Sequence, residues 1–339
     1  MVNIKGYLSS NFTKAFLTIF LPFFMIVSLV YLVKIAQLTS KIQIDFLELL
    51  TLYAYSLPDI IFYTLPLSFV TALTNVLLRL SQDNELIALY ALGLKAKKIL
   101  HSLVLLSLLF SILLLSISFL AMPLSKQYKK SFILHKQADA KLNIVAGQLG
   151  QKFGDFYIYV KGKKEDLFQN LVIYNRTNRA NEQFFSSKTG KLKHEKSVTS
   201  LVLNDGYGYT YAETDLQQAK YKTLEVFDQN KQRNFNYKTL KAYWAQVKED
   251  IGLRHKMFFY IFVSLIPLLS IYLIAAFSMI NPRYQKNRSF MIIFGITFLL
   301  YGIASSLQKW GTVSALIFAT IIITVLGQWV FQKRVSKYF

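Results

Sequence analysis

AFLTIFLPFFMIVSLVYLV, residues Ala15–Val33, carries no charge and runs directly into Lys34. A helix of roughly 20 apolar residues crosses the about 30 Å of hydrocarbon in a bilayer. The run is too long for the core of a secretory leader and no small-residue cleavage site follows it, so it reads as a retained membrane span. Five similar runs lie downstream: Ile60–Leu78 behind Pro58-Asp59, about Ile99–Leu124, Met257–Ile280, Ser289–Leu307 and Thr312–Phe331. Proline at a first helical position and an acid in the first turn are ordinary helix starts. Each run is expected to be a helix, because a lone segment in lipid must satisfy its own backbone groups.

Between the third and fourth runs lies a polar, domain-sized stretch. FYIYV (Phe156–Val160), LVIY (Leu171–Tyr174) and SVTSLVL (Ser197–Leu203) are short, β-branched or aromatic, and bounded by turn residues. Asn204-Asp205-Gly206, ahead of alternating Tyr207, Tyr209 and Tyr211, reads as a hairpin turn. Around Thr239–Ile251 the period becomes helical, with Leu240, Tyr243, Trp244, Val247 and Ile251 on one face and Gly252 as a stop. The expected fold is therefore a membrane α-helical protein of six transmembrane helices, three and three. An all-β, jelly-roll-like domain with helical stalks is inserted between them. The expected divisions are 1–124, with an inner loop at about 79–98, then 125–256, then 257–339.

Charge sets the orientation. With the N-terminus in the cytoplasm, the inner segments hold Lys5, Lys14, Arg79, Lys95, Lys97, Lys98, Arg283, Lys286, Arg288, Lys333, Arg334 and Lys337. The short outer loops then hold Lys34, Lys41 and Lys309 alone. The positive-inside rule selects this topology. Both termini are expected in the cytoplasm, the large domain in the periplasm, and the chain in a cell inner membrane. Of the formal net charge of +21, residues 125–256 contribute 24 Lys/Arg against 13 Asp/Glu. A basic soluble protein would point to nucleic acid. Here, wedged between membrane spans, the better partner is anionic lipid or another membrane-bound polyanion.

The chemistry that the residues exclude is broad. There are no cysteines, and the histidines His101, His135, His194 and His255 show no metal-ligand spacing, so no metal site is expected. No G-x-x-x-x-G-K-[ST] phosphate loop occurs, and Gly147, Gly150 and Gly154 do not open a helix. No cofactor and no catalytic residue is expected. The six runs contain no Asp, Glu, Lys or Arg. Ion-coupled carriers keep such groups at membrane depth. An apolar cavity or a scaffold fits better.

Two charged features remain. On the outer side, where basic residues are normally scarce, stand Lys34, Lys126, Lys129, Lys130, Arg254 and Lys256. Such a collar suits headgroup phosphates, and interfacial snorkelling without a ligand is the alternative. On the inner side, RLSQDNELIALYALGLKAKKIL (Arg79–Leu100) gives a short amphipathic helix. Leu86, Leu89, Tyr90 and Leu94 form its apolar face, Ser81-x-x-Asn84 and Glu85 supply start signals, and Gly93 interrupts it. It fits a helix docking into a cytoplasmic partner, or an ordinary interfacial helix.

At this loop LSQDNELIALYALG resembles the L-S-x-x-[NS]-E-L-x-A-L-x-A-x-G segment of the LptF/LptG (YjgP/YjgQ) lipopolysaccharide export permeases. Further matches follow in order: Pro58 and Leu65-Pro66, Gly147-Gln148-Leu149-Gly150-Gln151-Lys152-Phe153, Leu203-Asn204-Asp205-Gly206, Pro267, and Asn281-Pro282-Arg283. Gln285-Lys286-Asn287 departs from the Gly-Arg that many relatives carry there. The resemblance implies a non-hydrolysing half of an ATP-driven exporter. A second permease of the same family, an LptB-like ATPase dimer and an LptC-like jelly-roll protein would be its partners. Lipopolysaccharide would enter from the outer leaflet near spans one and five. The helix with Asn84, Glu85, Leu86, Leu89 and Gly93 would be the ATPase-coupling helix, and Lys34 would meet headgroup phosphates. Two other classes compete: a permease of another ABC-type lipoprotein or peptide exporter, and a membrane-anchored envelope scaffold.

Overall fold

The computed structural model describes residues 4–39, 44–142, 144–153, 156–164, 167–178, 181–195, 198–212, 215–227, 236–280 and 288–336. The expectations placed on Lys41, Gly154, Asn281-Pro282-Arg283, Gln285-Lys286-Asn287 and Lys337 lie outside the described residues. The chain divides into two compact units, residues 1–37, 46–129 and 237–339 in one and 38–45 and 130–236 in the other.

The first unit is helical. Its long elements are α1 (Ile4–Thr39), α3 (Leu57–Gln82), α5 (Ala96–Ser116), α8 (Ile251–Ser278), α9 (Ser289–Trp310) and α10 (Val313–Phe331). The short ones are α2 (Phe46–Ala54), α4 (Glu85–Ala91) and α7 (Leu240–Ala245). A π-helical turn, Ile117–Ala121, carries α5 into α6 (Met122–Leu142). Six helices in the described residues are long and apolar enough to cross a membrane. In chain order three precede the strands and three follow them. They extend past the apolar runs, since a helix does not end at the edge of the hydrocarbon.

The centre of the unit is α3 against α8. Phe62, Phe69, Leu73 and Leu77 of α3 are buried with Phe262, Val263, Ile266 and Ile274 of α8. Hydroxyls among them are returned to the helix: Thr64 donates to Ile60 O at 2.9 Å and Ser68 to Thr64 O at 2.9 Å. A buried hydroxyl without such an acceptor is costly. The helices α1, α9 and α10 instead expose apolar side chains such as Met25, Phe298 and Phe318. That is the surface a lipid environment tolerates.

The π turn has a local cause. Pro123 has no N–H to give the Phe119 carbonyl four residues earlier, and its ring crowds that carbonyl. The widened turn at Ile117–Ala121 lies over this position and relieves the clash.

At the other end of the insert, Thr239 caps α7 by accepting from Ala242 N at 3.3 Å, and a 3₁₀ turn follows at Gln246–Lys248. Gly252 does not stop this segment. It lies in the first turn of α8, whose start is set by Asp250 accepting from Leu253 N at 3.1 Å. A capping carboxylate outweighs one glycine as a boundary signal.

The second unit is built on β1 (Gln151–Phe153), β2 (Phe156–Lys164), β3 (Leu167–Asn178), β4 (Asn181–Glu195), β5 (Val198–Ala212) and β6 (Leu216–Phe227). The described strands form one antiparallel sheet in the order β1-β2-β3-β4-β5-β6. Pairing lapses along a line through Lys161, Asn170, Lys188, Asp205 and Lys222, while the register is the same immediately before and after it. On that line Asn170 and Asp205 take φ of 50° and 51°. Asn and Asp tolerate this region best among residues with a Cβ. The line is a corner at which the sheet folds over.

One limb turns Ile158, Val160, Leu171 and Ile173 inward, and the other turns Phe168, Leu201, Leu203 and Val226 inward; all eight belong to one buried cluster. A flat single sheet would leave one face wet, so the fold at the corner supplies both walls of this core. Gly190 makes room for the closure, since a Cβ there would lie 3.1 Å from Leu171 Cδ2 of the facing limb. Asn204-Asp205-Gly206 is therefore a bend inside β5 and not a hairpin turn. Its positive φ serves the corner.

Candidate functional sites at the two ends of the bundle

The first unit has chemistry at both ends. At one end sits α4. Asn84, at φ 60°, turns the chain from α3 into it, and no side chain caps its first turn. Gly93, at φ 79°, ends it: Gly93 N–H bonds Tyr90 O at 2.9 Å and Leu94 N–H bonds Leu89 O at 3.2 Å. This is a Schellman closure, which needs a residue free of the left-handed penalty. Leu86 is buried and Leu89 packs against the core, whereas Ile87 and Leu92 are exposed. Burial also pushes the Tyr90 phenol well up from its ordinary pKa. The expected apolar face of α4 thus seats the helix on its own protein. The side left open is Ile87, Ala88, Ala91 and Leu92.

Ser81 is not a cap for α4. Its hydroxyl, buried, lies 2.9 Å from both Leu77 O and Ser278 O and accepts from Ile280 N at 3.2 Å. It ties the elbow between α3 and α4 to the last residues of α8. Glu85 accepts a hydrogen bond from Tyr7 Oη of α1 at 2.7 Å. Arg79 and Asp83 make an exposed ion pair at 3.4 Å.

At the opposite end the basic residues separate into two kinds. Lys126 is half-buried, donates to Tyr260 Oη at 2.6 Å and faces Asp59 Oδ1 at 3.6 Å. Lys129 donates to Ser56 Oγ at 3.0 Å. Arg254 is spent on the Val247 and Lys248 carbonyls, at 3.1 and 2.7 Å. Lys34 and Lys256 are exposed, and Lys34 Nζ sits 5.2 Å from the Tyr31 ring centre. Lys130 is exposed and belongs to the second unit. Burial pushes the Tyr243 phenol up, with Lys126 opposing the shift, which places that ring beside the cluster.

Lys126, Lys129, Asp59 and Tyr260 therefore form an internal polar cluster, and Lys34 is left facing outward. Tyr7, Ser81, Asp59 and Tyr260 were not predicted as site residues. Asp59 carried a signal, as the acid behind Pro58 at the start of the second apolar run. Ser81 was marked only as a start signal for α4, and Tyr7 and Tyr260 carried no signal, because their partners lie far away in sequence.

The chain resembles no curated protein closely enough to register a match. The family model described as lipopolysaccharide export system permease LptF/LptG matches residues 6–333, nearly the whole length. That match takes in both ends of the helical unit and the inserted strands alike. By this match the chain belongs to the LptF/LptG family of lipopolysaccharide export system permeases.

Proposed function

We propose that this chain is the non-hydrolysing half of an ATP-driven exporter. It would draw lipopolysaccharide from the outer leaflet of the inner membrane and pass it to periplasmic jelly-roll domains. The family match carries the reading. Three features support it. The spans carry no acid or base at depth, as acyl chains require of a cavity. Lys34 offers an exposed cationic head just past the apolar run of α1, suited to a phosphate. Helix α4 is rigidly seated and leaves an apolar strip with Ile87 and Leu92 for a partner.

In this reading the paired partners are a second permease of the family, an LptB-like ATPase dimer and an LptC-like jelly-roll protein. The termini and α4 face the cytoplasm and the β domain faces the periplasm. Lys34 is the first headgroup contact, and Lys256 offers a second exposed ammonium in the same unit. The folded-over sheet, with an apolar core between its limbs, is the jelly-roll-like receiver. Its β6 edge, unpaired on one side among the described residues, offers backbone groups for strand addition.

Purification of the chain from membranes, with mass spectrometry of what co-elutes, tests this directly. An ATPase, a second permease and lipopolysaccharide are expected together. An envelope scaffold would come without the ATPase, and a lipoprotein exporter without lipopolysaccharide.

A further inference from the structure

We propose that Tyr7 is a positioning residue for Glu85, and that this bond carries the displacement of α4 into the first transmembrane helix. The proposal rests on the coupling role given to α4 above.

Glu85 is the single acid of α4 and stands at its first position. Its carboxylate is not simply presented to a partner, because Oε2 accepts the Tyr7 hydroxyl at 2.7 Å. Tyr7 itself is held by its neighbours. Leu8 and Phe12 are almost fully buried, and the Phe12 ring lies 5.1 Å from that of Phe69 and 5.9 Å from that of Phe110. The start of α1 is thus fixed to α3 and α5, and through Tyr7 to α4.

Beyond Pro22 the helix is attached sparsely. Met25, Ile26, Leu29, Val30 and Val33 are all exposed, and Ser28, bonded to Tyr53 Oη at 2.5 Å, and Ile35 are its buried anchors. Pro22 withholds an N–H from the Thr18 carbonyl, which weakens the ladder between the two halves. Lys34 lies on the far side of this weak point. A shift of α4 that pulls Glu85 therefore acts on the anchored half of α1. The outer half, with few contacts of its own, follows or bends.

The chemistry makes a specific demand. The bond needs an acceptor oxygen at position 85 and a hydroxyl at position 7. It does not need a negative charge. Glutamine meets the first condition and phenylalanine fails the second.

The test uses the complete exporter in proteoliposomes, reading ATP hydrolysis and lipopolysaccharide released per ATP. Tyr7→Phe is expected to cut release per ATP about three- to tenfold, the scale of one lost hydrogen bond at an exposed site, with hydrolysis retained. Glu85→Gln should recover most of the coupling that Glu85→Ala loses. Tyr7→Phe combined with Glu85→Ala should be no worse than Glu85→Ala alone. Unchanged coupling in Tyr7→Phe, or a Glu85→Gln variant as defective as Glu85→Ala, overturns the proposal. Leu92→Glu tests the underlying reading separately, since Leu92 is exposed and takes no part in the Tyr7–Glu85 bond. If Leu92→Glu severs the ATPase while Tyr7→Phe is silent, α4 docks a partner and only the Tyr7 link is wrong. If Leu92→Glu and Glu85→Lys both leave transport intact, the coupling role and the link fall together.

Discussion

The indole N–H of Trp244 donates to the carbonyl of Phe119 at 3.0 Å, and the two rings lie 4.8 Å apart. Pro123 is the reason that carbonyl is available. The helix cannot satisfy it four residues on, so a side chain from α7 does so across the end of the bundle.

Trp244→Phe keeps the ring contact and removes the donor. It is expected to lower stability by roughly 1 kcal/mol, the cost of a part-buried acceptor left alone. With Pro123→Ala in the background, the helix regains an N–H at that position and the penalty should shrink. Thermal unfolding of the detergent-purified variants measures the cycle, and equal penalties in both backgrounds would contradict this account.

Ser81 makes a different prediction. Ser81→Ala removes the acceptor for the Ile280 amide and the donor to Ser278 O. Amide exchange at Ile280 should rise by about tenfold or more, while the amides in the middle of α3 keep their protection. Hydrogen exchange by mass spectrometry resolves the two segments.

The corner of the sheet rests on backbone conformation. Asn170→Val should destabilise the second unit by about 1–2 kcal/mol and Asn170→Gly should be tolerated, because only the β-branched residue resists positive φ. Gly206→Ala should be worse than either, since a Cβ there would lie 2.1 Å from Ser186 O beneath the Tyr221 hydroxyl. Limited proteolysis of the insert in the full chain ranks the three.

Legibility in the sequence follows the range of the interaction. The six spans were readable because about 20 uncharged residues are a local property. At Gly93 the sequence showed an interruption, and the structure makes it the end of α4. The corner was not readable. Asn204-Asp205-Gly206 has the composition of a hairpin turn, and only the register of β5 with β4 and β6, unchanged across it, shows it to be a bend. Helix α2 is a short amphipathic stretch with no strong start signal. The separation of these lysines into bonded and exposed was equally hidden, since Tyr260 and Lys126 are far apart in the chain. Pro123 was a missed clue: a proline in an apolar helix announces an orphaned carbonyl four residues back.

That separation of lysines gives the fourth prediction. Lys126→Met leaves Asp59 and Tyr260 without their partner and should lower stability by on the order of 1–2 kcal/mol. Lys34→Glu should leave the melting temperature within error and still reduce lipopolysaccharide release. Unfolding and transport measured on the same preparations separate the two roles. A Lys34→Glu variant that transports normally would remove the headgroup contact.

The central claim is that α1 lines the path of the lipid. Phe12, Phe16, Phe20 and Phe24 run along it with successive ring centres 5.9, 5.2 and 5.7 Å apart. A photo-crosslinking residue placed at Phe20 or Phe24 in the assembled exporter, irradiated during ATP turnover, tests this most directly. The account predicts an adduct with lipopolysaccharide at one or both positions, and its absence at both during active transport would contradict it.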